Sequence, residues 1–504
     1  MSALAAYIKD IVANGQEPNA AMVGYLANLE QVAKVDKSIP ASIIKELEDQ
    51  RSYLKMIASE NYCSLSTQLT LGNLLTDKYA EGFPNHRYYA GCDNIDNLEG
   101  QACQEACDLF GAEHAYVQPH SGADANMVAY WAILNKVVQQ PYMEKVGETN
   151  LYNLSDEQWA ELRAAFGNQK LLGLNYYSGG HLTHGYRHNV SARMFDAYTY
   201  DVDPKTQILD YDSIRKQAEE IKPTILLAGY SAYPRKVNFR IMREIADSVG
   251  AVFMVDMAHF AGLVAGKAFT GDFDPVKHAD VVTTTTHKTL RGPRGGLILA
   301  KKEFGDFIDQ GCPMVLGGPL PHSMAAKAIA FKEANTPEFQ EYAQNIIKNS
   351  QSLAGYLSEG GVNLTSGGTD NHLMVLDVTN FGLTGRQAED AVRAAGITLN
   401  RNSVPFDPNG AWYTSGLRIG TPALTTLGMG EAEMKEIATI VVEILESTEA
   451  NIIAKGKNAG KKSLAKATTD EAVIASCRER VSKLLSRFVL YPELDTEILK
   501  QVLN

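Results

Sequence analysis

Between Pro223 and Ala300 short apolar runs alternate with a longer amphipathic stretch. Thr224 to Ala228 and Ala251 to Val255 read as strands; between them Phe239 to Val249 sets Ile241, Ile245 and Val249 on one stripe and stops at Gly250, a helix with a glycine cap. A third, β-branched run, Val281 to Thr286, ends in His287 and Lys288, and a turn holding Gly292, Pro293, Gly295 and Gly296 returns into Leu297 to Ala300. Strands alternating with helices at this spacing predict right-handed crossovers and a mostly parallel sheet. Ligands bind such sheets beyond the carboxyl ends of the strands, where Ser231, Asp256 and Lys288 fall.

The flanking patterns are less regular. Residues 1 to 50 form short helices broken at Gly15 to Pro18 and at Ser38 to Pro40, with an amphipathic helix over Ser42 to Leu54. Loops rich in aromatic, acidic and hydroxyl groups follow, carrying Ser59, Tyr79, Glu81 and Tyr89. A helix over Asn97 to Phe110, a strand at Ala115 to Gln118 and a helix opened by Ser121-Gly122 and running to Leu134 come next; the free N–H groups at that last helix start would favour an anion. The polar, irregular stretch 135–173 reads as an inserted surface excursion with a helical patch at Ser155 to Phe166. Beyond it, Ser323 to Leu357 reads as one long helical stretch leading to a second domain with a strand at Leu373 to Val378 and a helix at Gly385 to Ala395, and five lysines without an acid between Lys455 and Lys466 read as a solvated loop. The division expected is an arm over 1–75, a large domain over 76–334 and a small domain over 335–504.

Length and charge narrow the function. A chain of 504 residues is long enough for more than one core. Its net charge of −12 disfavours nucleic acid and anionic membranes as partners. Met1 to Asp10 lacks a basic, apolar leader, no apolar run approaches the ~20 residues of a spanning helix, and the six cysteines are too sparse for a disulfide framework or a zinc site; the expectation is a cytoplasmic protein.

Three features then suggest one cofactor. Lys288, at a strand end, is flanked by hydroxyls and followed by Arg291 and Arg294, whose charges would lower its pKa towards a nucleophilic amine. Asp256, at a strand end with no phosphate-binding GxxxxGK loop to partner it, suits the protonated nitrogen of a pyridine ring. With the anion-binding start at Ser121-Gly122, these meet three requirements of pyridoxal phosphate. His181 and His184, in a glycine-flanked turn, leave a metal-dependent hydrolase with Asp256 and His259 open as a rival.

Ser121-Gly122, Asp256-Met257-Ala258-His259, Thr283 to Lys288 and Gly292-Pro293-Arg294-Gly295-Gly296 resemble the motifs of serine hydroxymethyltransferases, pyridoxal phosphate enzymes of the aspartate-aminotransferase-like class; the likeness covers roughly 54–135 and 173–445. The resemblance implies an α/β fold with a mostly parallel, seven-stranded type of sheet flanked by helices, a smaller C-terminal α/β domain, a helical arm and a homodimer with shared sites. The implied reaction moves the serine hydroxymethyl carbon reversibly to tetrahydrofolate and leaves glycine. The implied roles are covalent attachment of the cofactor at Lys288, pairing of Asp256 with its ring nitrogen, stacking of His181, and phosphate binding by Ser121, Gly122, Ala123 and His287, with Tyr79 and Gly318 from a neighbouring subunit. Ser231 and His259 would lie near the ring hydroxyl. Arg418, with Ser59 and Tyr89, would hold the amino-acid carboxylate, and Glu81 would handle the serine hydroxyl proton across the interface. Folate would meet Tyr176, Gly180, His181, Leu182, Asn402, Gly410, Ala411 and Trp412, and no metal is implied.

The chain departs from that family at Ala123, where serine is common, at Phe406, where asparagine is usual, at Tyr176, where leucine is usual, and at Met314-Val315-Leu316, in place of a glycine-rich run. Phe406 and Tyr176 motivate a second rival that keeps the cofactor but performs folate-independent aldol cleavage or racemisation.

Overall fold

In a computed structural model describing residues 2–504, the main sheet has seven strands: His114–Tyr116, Lys170–Leu174, Asp196–Tyr200, Ile225–Gly229, Val252–Asp256, Val281–Thr285 and Gly296–Ala300. Their spatial order, by first residue, is 114, 296, 281, 252, 225, 170, 196. The five strands from 281 across to 196 are parallel, and only Gly296–Ala300 runs antiparallel to its two neighbours. The mostly parallel α/β sheet expected from the alternation is therefore present.

Side-chain alternation along these strands feeds two cores. Leu226, Ala228, Phe253, Val255, Leu297 and Leu299 face a cluster with helices Asp93–Phe110, Phe239–Val249 and Pro321–Ala334. Ile225, Leu227, Met254, Val281 and Ile298 face the opposite way, onto helix Gly122–Leu134. Because both faces are covered, the strands read as continuous apolar runs, each buried leucine or isoleucine contributing roughly 1.5 to 3 kcal/mol. Helix Phe239–Val249 has the expected bounds, an Asn238 side-chain cap and Gly250 at φ 69°, but the stripe it buries is Phe239, Met242, Ile245 and Ala246, so Ile241 and Val249 lie at its edges.

Four expectations are corrected. Lys170–Leu174, assigned in part to the surface excursion, is an interior strand paired on both sides; its short polar flank hid a buried LLGL core. Ser38–Pro40 opens helix Ser38–Ser52 rather than breaking the chain, since proline in a first turn lacks only an N–H that has no helical acceptor. The long helical stretch is two helices, Pro321–Ala334 and Pro337–Glu359, divided at Asn335 and capped by the Thr336 side chain. The five lysines lie on the tip and second strand of a hairpin, Thr448–Ile452 with Lys462–Thr469, so only part of that stretch is loop.

The C-terminal region forms a second core around an antiparallel sheet in which Leu373–Asp377 pairs with Gly416–Gly420 and the latter with Asn400–Asn402. Leu54 and Met56 enter that core, while the preceding helices pack against the chain end at Leu494, Leu499 and Val502. The arm thus runs from the C-terminus towards the sheet rim.

Candidate functional site

The carboxyl ends of Ile225–Gly229, Val252–Asp256 and Val281–Thr285 open into a cavity of about 580 Å³ that Ser231, Asp256 and Lys288 all line. On its floor helix Gly122–Leu134 begins. Ser121 caps it by accepting from the Asp124 N–H at 3.2 Å, and the N–H groups of Gly122 and Ala123, at the first two helical positions, have no intrahelical acceptor. A Cβ on Gly122 would stand 2.7 Å from the Thr285 methyl, and one on Gly296 would stand 2.3 Å from the Ser121 carbonyl oxygen, so glycine at both lets the cradle close against the lysine turn. His287 lines the same cavity with its Nδ1 buried and unpartnered.

Burial pushes the Lys288 amine down to about 8; Asp256 opposes that and Arg418 and Arg294 reinforce it. The expected lowering is present, with burial as its main cause. Arg291 is not among the causes: it takes a left-handed φ of 63° and stacks 4.8 Å over the Tyr342 ring. Nor do the threonine hydroxyls face the amine, since those of Thr283, Thr285 and Thr286 are spent on Asn126, the Ala258 carbonyl and the Pro293 carbonyl. Attack by this lysine on a small aldehyde, trapped with borohydride in cofactor-free protein, is expected to rise through a midpoint near pH 8; a midpoint near 10.5 would contradict it.

Asp256 is buried, and burial alone would raise its pKa. Hydrogen bonds outweigh that: His184 Nε2 at 3.1 Å and Asn126 Nδ2 at 2.9 Å converge on Oδ2, Oδ1 accepts from the Ala258 N–H at 3.0 Å, and the carboxyl is held below the ordinary range. His181 is pushed down to about 4 by burial, with Asp256 opposing, and its Nδ1 meets the Thr183 hydroxyl at 2.7 Å. His181, His184 and Asp256 bring ligand atoms within 4.8 Å of one another, the grouping a metal would need. Yet His184 Nε2 is engaged with Asp256 and His181 Nδ1 with Thr183, which accounts for the cluster without an ion.

From the strand Gly416–Gly420 of the C-terminal sheet Arg418 enters the cavity, donating from Nη1 to the Ser231 carbonyl at 2.8 Å and from Nε to Asn400 Oδ1 at 3.2 Å. Burial pushes its guanidinium down to about 10. Ser59, His259, Tyr176, Gly180, Leu182, Asn402 and Ala411 also line the cavity. Gly410 and Trp412 do not; Trp412 is 63% exposed at the rim, between Arg386 and Arg401. Phe406 lies off the cavity at φ 60°, a conformation asparagine tolerates far better than phenylalanine, so the departure there places strain in the backbone.

Four expected residues gather elsewhere. The hydroxyls of Tyr79 and Tyr89 donate to the two Glu81 oxygens at 3.2 and 3.1 Å, and Gly318 abuts the Tyr79 ring. Tyr79 and Tyr89 are half exposed, and none of the four lines this chain's cavity, so Tyr89 does not join Arg418 and Ser59 within one copy.

Other participants escaped the sequence reading, and His184 had entered it only as a candidate metal ligand. Asn126, Thr183 and His184 organise Asp256; Asn61 donates to the Lys288 carbonyl at 3.0 Å; and the fully buried Lys327 donates to the carbonyls of Val117, Pro119 and Gly296, tying the cradle to the lysine turn. Asn126 and Lys327 sit at core positions of helices, where a lone polar residue in an apolar stretch was the available signal.

Comparison with known proteins agrees with this geometry. The sequence model described as serine hydroxymethyltransferase matches residues 32–142 and 163–441. The chain is 59% identical over 499 residues to a serine hydroxymethyltransferase of Treponema pallidum, covering 99% of this chain and 86% of that one. It is 55% identical to that of Salinispora tropica over 95% and 99% of the two chains, and 49% identical to that of Chlamydia trachomatis over 99% of each. The unmatched interval, 143–162, falls within the surface excursion and stops short of the strand at Lys170. With most of its length matched and the rim residues drawn from those same motifs, the chain belongs to the serine hydroxymethyltransferase family.

Proposed function

We propose that the cavity at the sheet rim carries out the family's reaction, the reversible transfer of the serine hydroxymethyl group to tetrahydrofolate, using pyridoxal phosphate. The observation that carries this reading is the convergence of a lysine lowered to about 8, a carboxylate held anionic and a helix start with free N–H groups in one cavity. The residues fit the cofactor: the orphaned His287 Nδ1 and the Gly122 and Ala123 N–H groups suit a phosphate, and the buried Asp256 suits a protonated ring nitrogen. When bound, pyridoxal phosphate supplies an electron-accepting ring that stabilises negative charge at the amino-acid Cα.

The chain supplies the rest. Lys288 provides the amine that holds the cofactor aldehyde. Asp256, fixed by His184 and Asn126, keeps a proton on the ring nitrogen. His181 would lie against the ring face, and Ser231 and His259, which line the same cavity, would serve the ring hydroxyl. Arg418 has its Nη2 edge without a protein partner and offers it, with Ser59, to the substrate carboxylate. Tyr176, Gly180, Leu182, Asn402 and Ala411 line the approach for folate, with Gly410 and Trp412 at its edge. Glu81, with Tyr79, Tyr89 and Gly318, serves the cavity of a second copy, Glu81 handling the serine hydroxyl proton. No helix among the described residues is long and apolar enough to cross a membrane, and all six cysteines are free, which supports the cytoplasm as the place of action.

Glycine formation from serine, measured with and without tetrahydrofolate, tests the reading. Strong dependence on the folate is expected, and equal rates would leave only folate-independent cleavage. The Arg418→Lys variant is expected to raise the KM for serine by what a charge-assisted hydrogen bond is worth, roughly 1.5 to 3 kcal/mol, with a smaller change in kcat. An unchanged KM would remove Arg418 from the carboxylate.

A further inference from the structure

His259, on the cavity wall, is paired with a residue from the other domain. Its Nδ1 lies 3.3 Å from Nε2 of His372, the two rings meet edge to edge with centroids 5.5 Å apart and planes inclined by 30°, and both residues are buried. His372 stands immediately before the small-domain strand Leu373–Asp377, and its backbone carbonyl accepts from the Thr421 N–H, three residues past Arg418. The remaining ring nitrogen of His372, Nδ1, is buried without a partner.

These facts restrict where the protons sit. Burial, with the charges of Lys288 and Arg418, pushes both imidazoles well down, so both are neutral and each carries one proton. If His259 Nδ1 donated, His372 would have to carry its proton on Nδ1, leaving a buried N–H with no acceptor. If His372 Nε2 donates, its Nδ1 is a bare nitrogen, and the one N–H without a protein partner belongs instead to His259, which lines the cavity. Orphaned buried N–H groups are the rarer defect, and two nearby cations further favour an electron-rich nitrogen there. His259 then accepts at Nδ1 and must carry its own proton on Nε2, the nitrogen for which the chain offers no partner.

We infer that His372 is a positioning residue: its Nε2–H donates to His259 Nδ1 and fixes His259 as a hydrogen-bond donor, never a base, towards the cavity. The recipient would be an anionic oxygen, such as the ring oxygen of the cofactor, and that half of the inference rests on the function proposed above. The direction of the His–His bond does not. Because His372 is rooted in the small domain, the donor is aligned only when the two domains hold their present relation.

Neutron diffraction from the deuterated holoenzyme reads the bond directly. Deuterons are expected on Nε2 of both rings and on neither Nδ1; a deuteron on His259 Nδ1 overturns the inference whatever the activity of the protein. In the holoenzyme, His372→Gln keeps an amide donor near the Nε2 position and is expected to stay within about threefold of wild-type kcat. His372→Leu should lower kcat by about tenfold with little change in the KM for serine, the upper worth of one supporting hydrogen bond. Equal losses in the two variants, or no loss in either, would overturn the positioning role. Should the leucine variant fail to fold, the glutamine variant and the deuteron positions still decide. Absence of folate-dependent glycine formation in the wild type would refute the proposed function while leaving the deuteron test intact.

Discussion

Replacing Lys288 with alanine is expected to lower serine-to-glycine turnover on the order of 10⁴-fold, since losses of that size follow removal of a group that bonds covalently in the reaction. The substitution leaves the cradle at Ser121 to Ala123, the Asp256 network and Arg418 in place, because none of their bonds runs through the lysine side chain. The variant should therefore still take up pyridoxal phosphate by its phosphate and ring, and the loss should lie in kcat. Borohydride treatment followed by peptide mass analysis separates binding from attachment: the wild-type peptide bearing Lys288 should gain the mass of the cofactor and the variant should gain nothing. Wild-type turnover by the variant would end the assignment of Lys288.

The second large effect is expected at Asp256→Asn, for which turnover should fall on the order of 10² to 10³-fold, the scale of removing one preorganised electrostatic partner. Its physical cause has two parts. The negative charge that holds a proton on the ring nitrogen disappears. In addition, Asn126 Nδ2 and His184 Nε2 donate to Oδ2 and the Ala258 N–H donates to Oδ1, so an amide nitrogen at either position faces a donor, at roughly 1 to 3 kcal/mol for an unsatisfied buried group. Moving the His184 proton to Nδ1 would not relieve such a clash, because that nitrogen already accepts from the His181 N–H at 3.3 Å, and Asn126 is held in its orientation by the Thr283 hydroxyl on its Oδ1. Lower thermal stability should accompany lower activity, and the deficit should persist at saturating cofactor. An Asp256→Asn variant with undiminished turnover would sever the carboxylate from the chemistry.

The legibility of this site followed from where its residues sit. Asp256, Ser231 and Lys288 end strands whose apolar runs are long, so their place on one rim could be read from alternation alone. Lys170–Leu174 could not be read that way: its polar approach resembles the excursion before it, and only pairing with Ile225 and Asp196 neighbours makes it a strand. Lys288 was recognisable, but its lowered pKa was assigned to the sequence neighbours Arg291 and Arg294; Arg294 does contribute, whereas burial dominates and the other cation is not Arg291 but Arg418, 130 residues away in the chain. Asn126 and His372 act through contacts across the fold, and nothing local distinguishes them from ordinary polar residues; His184 stood out in its glycine-flanked turn, but as a metal ligand and not as a partner of Asp256.

The placement of Glu81 with Tyr79 and Tyr89, away from the cavity of their own chain, changes how damage is inherited. If each copy lends this trio to its neighbour, an assembly of one chain lacking Glu81 and another lacking Lys288 contains one cavity with both defects and one with neither. Two inactive parents would then yield partly active mixtures. Two different cavity-wall defects, such as Lys288 and Asp256, could not complement in this way, because each copy would carry one of them into its own site. Complementation between alleles thus sorts this protein's side chains by the copy they serve.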